Sequence, residues 1–214
     1  MPGTDVKREL KGLYNPSAKE ISIVDVPPMN YLMIDGQGDP NTSQAYVDAL
    51  SALYTVSYTL KFAIKKRAPS EDFTVMPLEG LWWSPDSRDF SMIERGEWRW
   101  TAMIVQPPVV TREAVAEAIQ VAAKKKPLAA IDLLRFESFC EGLCAQILYF
   151  GAYKDEGPAI RRLHEFIGGQ GYVLAGKHHE IYLGDPRRTA PEKLKTVIRQ
   201  HMERADTKAK VESP

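Results

Sequence analysis

The chain has 214 residues, 28 basic and 28 acidic side chains, and a hydrophobic fraction of 44%, enough to bury a core in one large or two small domains. The balanced charge leaves no electrostatic footprint for nucleic acid or for an anionic membrane surface. No run approaches the ~20 apolar residues of a membrane helix, and the polar start MPGTDVKREL does not read as a secretory signal.

The first ten residues are polar and expected to be mobile. Ile21 to Val26 alternates apolar and polar residues up to Pro27-Pro28, which predicts a short strand. Tyr31 to Ile34 predicts a second, ended by the turn residues Gly36, Gly38 and Pro40. Ser43 is placed to cap a helix in which Tyr46, Val47, Leu50, Leu53, Tyr54, Tyr58 and Phe62 recur at three- and four-residue spacing. Lys65-Lys66-Arg67 and Pro69 end it. Phe73 to Met76 predicts a strand that continues past Pro77 into Leu78–Trp83. A polar loop from Ser84 to Gly96, with a Pro-Asp turn, leads to a strand over Trp98 to Val105. Thr111 to Lys126 is an Ala-rich amphipathic helix stopped by Pro127, and Leu128 to Phe136 reads as a further helical turn or two. Ala145 to Phe150 is a strand, and Pro158 to Ile167 is a helix ended by Gly168-Gly169. Tyr172 to Ala175 and His178 to Leu183 read as two strands joined through Gly176. Thr189-x-x-Glu192 with Pro191 starts a helix that Leu194, Val197, Ile198 and His201 continue at helical spacing, before a flexible tail over 205–214.

Two stretches share the order strand, glycine turn, helix, strand, strand: Tyr31 to Val105 and Ala145 to Leu183. This order aligns Gly96–Trp100 with Gly176–Glu180. The fold class expected is α+β: two βαββ repeats (about 21–106 and 137–204, with a connecting helix over about 107–136) forming antiparallel sheet in a single domain. Helices pack on one face, and the opposite face is concave and open to a ligand.

On a strand over His178–Leu183, alternate side chains share a face: Ile181 with Leu183, and His178 with Glu180 and Tyr182. The aliphatic face suits packing under helices. On the other face Glu180 is an ordinary surface carboxylate if that face meets bulk solvent. If the face lines a pocket, Glu180 is a desolvated carboxylate fit for base work or for pairing with a cation. All four tryptophans sit in Trp82-Trp83 and Trp98-x-Trp100, opposite a helix bearing Tyr54 and Tyr58. Indoles pack ordinary cores, and they also wall pockets for planar ligands and cations. Glu79 shares parity with Leu81 and Trp83 and is a second pocket carboxylate or an edge residue beside Pro77. His178 and His179 point to opposite faces, so no metal site is expected. Cys140-x-x-x-Cys144 lacks zinc or redox spacing, Gly36-x-Gly38 is no phosphate loop, and no cofactor is implied. Two cysteines make no disulfide framework, which places the chain in a reducing cytoplasm.

At YLMIDGQGDPN from Tyr31, PLEGLWW from Pro77, ILYFGAY from Ile147 and HHEIYLGDPRRTAPEKLKTVIR from His178, the chain resembles the GyrI-like small-molecule-binding proteins, in their long stand-alone branch. The resemblance runs from about Val6 to about Arg199; LEGLWW together with Glu-x-Tyr-x-x-Asp-Pro carries most of its specificity. It implies two strand-helix-strand-strand units around a central cleft, a glutamate matching Glu180 among aromatic residues, and bulky, often cationic or polyaromatic ligands. It also implies, for some relatives that resemble the chain most, hydrolysis of cyclopropane-bearing alkylating compounds in an aromatic cage. Glu180 and Tyr182 are the implied catalytic pair; Trp82 and Trp83 the implied ligand contacts. Trp100 joins them through the repeat, and Trp98, Tyr54, Tyr58, Glu79 and Phe150 complete the expected lining. Similar sequences continue toward a final Pro-Val where this chain has Gln200-His201-Met202, and they imply a short helix and then an edge strand instead of a C-terminal helix. The expected partner is a small molecule, with neither nucleic acid nor membrane, and the expected role is xenobiotic binding with hydrolysis or binding alone.

Overall fold

The computed structural model describes residues 10–85 and 94–205, so the expectations for the first nine residues, the Pro-Asp turn after Ser84 and the tail fall outside the described residues. The chain forms two compact units, one built on Met29–Phe139 and the other on Lys11–Pro28 and the chain from Cys140 onward. Both are α+β with antiparallel strands. No described helix is long and apolar enough to cross a membrane.

The first unit holds β2 (Met29–Gln37), α2 (Gln44–Arg67), β3 (Leu78–Trp83), β4 (Arg99–Gln106), α3 (Arg112–Lys125) and β5 (Arg135–Phe139), with strand order β3-β4-β2-β5. The second holds α1 (Lys11–Tyr14), β1 (Ser22–Val26), β6 (Gly142–Phe150), α4 (Gly157–Gly169), β7 (Tyr172–Tyr182) and β8 (Lys195–Arg204), ordered β1-β6-β8-β7. Each unit therefore contains the same βαββ path. β2-α2-β3-β4 matches β6-α4-β7-β8, and in both the last strand is inserted between the first and the second.

Local sequence explains the helices. The Ser43 hydroxyl accepts from the Tyr46 amide, and the buried stripe Ala49, Ala52, Leu53, Val56, Leu60 and Ile64 follows at three- and four-residue spacing. Cations fill the last turn of α2 and Pro69 follows it. The Thr111 hydroxyl caps α3 by accepting from the Ala114 amide. In the second unit Ala145 and Ile147 of β6, Ile198 and Met202 of β8, and Leu163 and Ile167 of α4 make one buried cluster.

Four expectations are corrected. Leu128 to Phe136 holds only a 3-10 turn at Ile131–Leu133 and then enters β5. The segment before Pro77 is not part of β3, which begins at Leu78. The two strands read on either side of Gly176 are one strand, β7, with a register shift between Leu174 and His178. Gly176 has φ +62° there, the conformation a bulge asks of glycine. The C-terminal helix is also absent: Pro191–Lys193 makes one 3-10 turn, and Lys195–Arg204 is β8, which lies inside its sheet and not at an edge. The β-branched run Thr196-Val197-Ile198 is buried on both faces of the strand, and a two-faced buried strand has no alternation to set against a helical reading. The second repeat consequently ends with β8, and the counterpart of Trp98–Trp100 lies in β8 instead of beside Gly176.

Candidate functional site

Strand pairing places Glu180 opposite Ile198 and Tyr182 opposite Thr196. Ile198 packs against α4, so His178, Glu180 and Tyr182 lie on the helix side of the sheet. The parity read from the sequence holds, but the faces are exchanged. The face carrying Ile181 is also buried, beneath α1: Arg199 donates to the Leu13 carbonyl at 2.8 Å and Gln146 to the Gly12 carbonyl at 2.7 Å. On that second face His179 Nδ1 lies 2.9 Å and Arg199 Nη1 3.2 Å from Glu141. Burial alone pushes the Glu141 carboxyl up, yet His179 and Arg199 together bring it down to about 2.

The helix-side cluster is built around Glu180, whose side chain is 13% exposed. Tyr182 donates its hydroxyl to Oε2 at 2.8 Å, and His178 Nε2 lies 3.1 Å from Oε1. The Tyr153 ring meets Tyr182 edge to face, with centroids 5.3 Å apart. Glu156, 2% exposed and at the N-terminal end of α4, stands beside Glu180 and Thr196. The two carboxyls diverge. Burial first, and the neighbouring Glu180 charge second, push Glu156 up to about 9. Burial also acts against Glu180, but the bonds to His178 and Tyr182 hold it below the ordinary carboxylate range. The pair holds one anion and one proton near neutral pH.

The first unit gathers aromatic rings at the first turn of α2. Tyr46 meets Trp100 edge to face at 5.0 Å and Trp82 at 5.9 Å, and Trp82 meets Trp98 at 5.7 Å. The Arg95 guanidinium lies 5.4 Å from the Trp98 ring. Trp82 and Trp100 are buried, and Gly36 and Gly80 leave room for their rings.

The family model of the GyrI-like small molecule binding domain matches residues 19–199. The chain belongs to that family. Three solved structures, all from Listeria innocua, resemble this GyrI-like chain over almost its whole length. An uncharacterized conserved protein is 37% identical, with TM-score 0.85, covering 93% of this chain and 99% of its own. A hydrolase is 36% identical, with TM-score 0.81 and coverage of 93% and 99%. A hydrolase encoded by lin2189 is 36% identical, with TM-score 0.83 and coverage of 94% and 100%. No curated protein matches.

The remaining expected residues of this GyrI-like domain fall elsewhere. Trp83 and the buried Glu79 lie on the face of β3 opposite Trp82. Tyr54 and Tyr58 stack along α2 with centroids 6.4 Å apart, on a groove of about 740 Å³ between α2 and α3. Phe150 is 48% exposed, on the opposite face of β6 from Tyr149, with the Lys195 ammonium 5.2 Å from its ring. Sequence reasoning missed Glu156, Tyr46 and Tyr153. Tyr46 was read only as helix periodicity. An acid placed just before the helix-starting Gly157-Pro158 is the signal that marks Glu156.

Proposed function

We propose that this GyrI-like protein binds planar aromatic xenobiotics, cationic ones included, and hydrolyses cyclopropane-bearing electrophiles at Glu180. The observation that carries this reading is a shielded, ionised carboxylate fixed by a phenol and an imidazole. Two relatives more than a third identical and named hydrolase support it. In this reading the Tyr153 and Tyr182 rings beside Glu180 supply stacking surface there, and the partly buried Trp98 supplies it in the first unit. Glu180 orients a water and takes its proton as the water oxygen bonds to the cyclopropyl carbon. The ring carbon–carbon bond breaks, its electrons move to the conjugated carbonyl oxygen, and the phenolate formed in the same molecule takes a proton from solvent while Glu180 returns its own to solvent. A carboxylate held below its ordinary range is a weak base. It serves positioning and cation pairing better than hard proton abstraction, and a strained ring that opens to an aromatic product demands little more. In this reading the Tyr182 hydroxyl, donated to Glu180, holds the carboxylate in place.

The same weak basicity favours a second reading, in which the protein sequesters such compounds without chemistry. Single-turnover hydrolysis of a cyclopropane-bearing substrate, with binding followed separately by tryptophan fluorescence, separates the two. Glu180→Gln is expected to lower turnover by ~10²-fold or more while a neutral ligand still binds. Stoichiometric binding by the wild type with no product released establishes sequestration and ends the hydrolase reading.

A further inference from the structure

The function proposed above uses Glu180 and leaves Glu156 without a task. A carboxyl 2% exposed, with Oε1 lacking any hydrogen-bond partner, is costly to keep, and it stands directly beside a second carboxylate. The described groups that face the pair are His178 and Tyr182 from β7, Thr196 from β8 and Tyr149 from β6. No Lys or Arg appears among them. Among the described residues, the Glu180 charge is opposed by the hydrogen bond and the charge of His178, the hydrogen bond from Tyr182 and the proton that Glu156 retains.

We infer that Glu156 and Glu180 form a proton-exchanging carboxyl pair, in which a cationic ligand arriving at Glu180 takes over the offsetting role of the Glu156 proton and expels it. Cation binding is thereby coupled to loss of up to about one proton. The Glu156 O–H bond breaks, its proton passes to the buffer, and no other covalent bond changes. A neutral ligand of the same shape brings no offsetting charge and leaves the proton in place. Glu156 is thus the residue that lets one site hold neutral and cationic ligands alike. The inference rests on the preceding reading of Glu180 as the polar contact of the ligand.

The test is isothermal titration calorimetry with N-methylphenanthridinium and neutral phenanthridine near pH 7.5, in phosphate and in Tris, whose ionisation heats differ. For wild type, the cation is expected to release a proton fraction that the neutral ring does not. Its affinity should rise by up to about tenfold for each unit of increasing pH, levelling off above the Glu156 titration. Glu156→Gln should still bind the cation, with no proton released and a flat pH profile. Cation binding by wild type with no proton released overturns the pair and leaves the ligand site standing. Binding of neither probe overturns the ligand site, and the linkage with it. Carboxyl carbon NMR of the free protein reads the pair independently. Glu156 is expected to titrate lower in Glu180→Gln, and an unmoved Glu156 overturns the coupling whatever binds.

Discussion

Tyr182 and His178 do more than neighbour Glu180: their hydrogen bonds set how readily it ionises. Removing a donor raises the carboxyl toward the ordinary range, so Tyr182→Phe should shift the acid limb of the turnover profile to higher pH while the substrate stays bound. A purely structural tyrosine would leave that limb where it is. The tryptophans behave differently. Trp100 is 1% exposed and wedged against Tyr46, so Trp100→Ala should cost ~3–5 kcal/mol of stability, read by urea unfolding. Loss of ligand binding in that variant therefore means little unless the fold is measured beside it; Trp98, which is only partly buried, is the fairer probe of stacking. At this scale the sequence showed Glu180 and Tyr182 on one face, because strand parity is a two-residue rule. It did not show Glu156, because 24 residues and a whole helix separate the two carboxyls and only the fold brings them together.

Elements were legible wherever a boundary residue had a local job. Ser43 caps the helix it was expected to cap, Thr111 caps the helix read as starting at it, and Thr111→Ala should cost about 1 kcal/mol in thermal or chemical unfolding. Elements failed where the pattern was ambiguous in itself. Leu194, Val197, Ile198 and His201 fit a helix period, yet they belong to a turn and a strand whose two faces are both buried. Glycines in the strands carry their own test. A methyl group on Gly36 falls within the Trp100 ring, so Gly36→Ala should destabilise by ~1–3 kcal/mol and disturb the indole signals of the first unit. Gly12, with open space around it, is the control: Gly12→Ala should change stability by well under that amount.

For the molecule as a whole, two buried glutamates pull the pH profile of stability in opposite directions. Glu141 lies at about 2 in the fold against 4.5 for the free group; it stabilises fully above 4.5, and that contribution is lost as pH falls through about 2. Glu156 lies at about 9 in the fold, so the native state holds a proton that the unfolded chain has released, and stability declines as pH rises from 4.5 toward 9. Glu156→Gln should flatten the alkaline decline and stabilise the protein at pH 8 by about 1 kcal/mol or more in urea titrations. Glu141→Gln should instead cost ~3–5 kcal/mol, because it leaves Arg199 buried without its counter-charge. That arginine also ties the beginning of the chain to its end. Its bond to the Leu13 carbonyl spans 186 positions. At a synthesis rate of ~5–20 residues per second, the segment around Leu13 waits about 10–40 s after leaving the ribosome for its partner strand to be made. The unit built on Met29–Phe139 has all its strands in hand well before then. Birth order thus runs inside out: the interrupted unit starts first and finishes last, and a stalled nascent chain ending before β8 should show protease-resistant residues 29–85 and 94–139 while Lys11–Tyr14 is still cut.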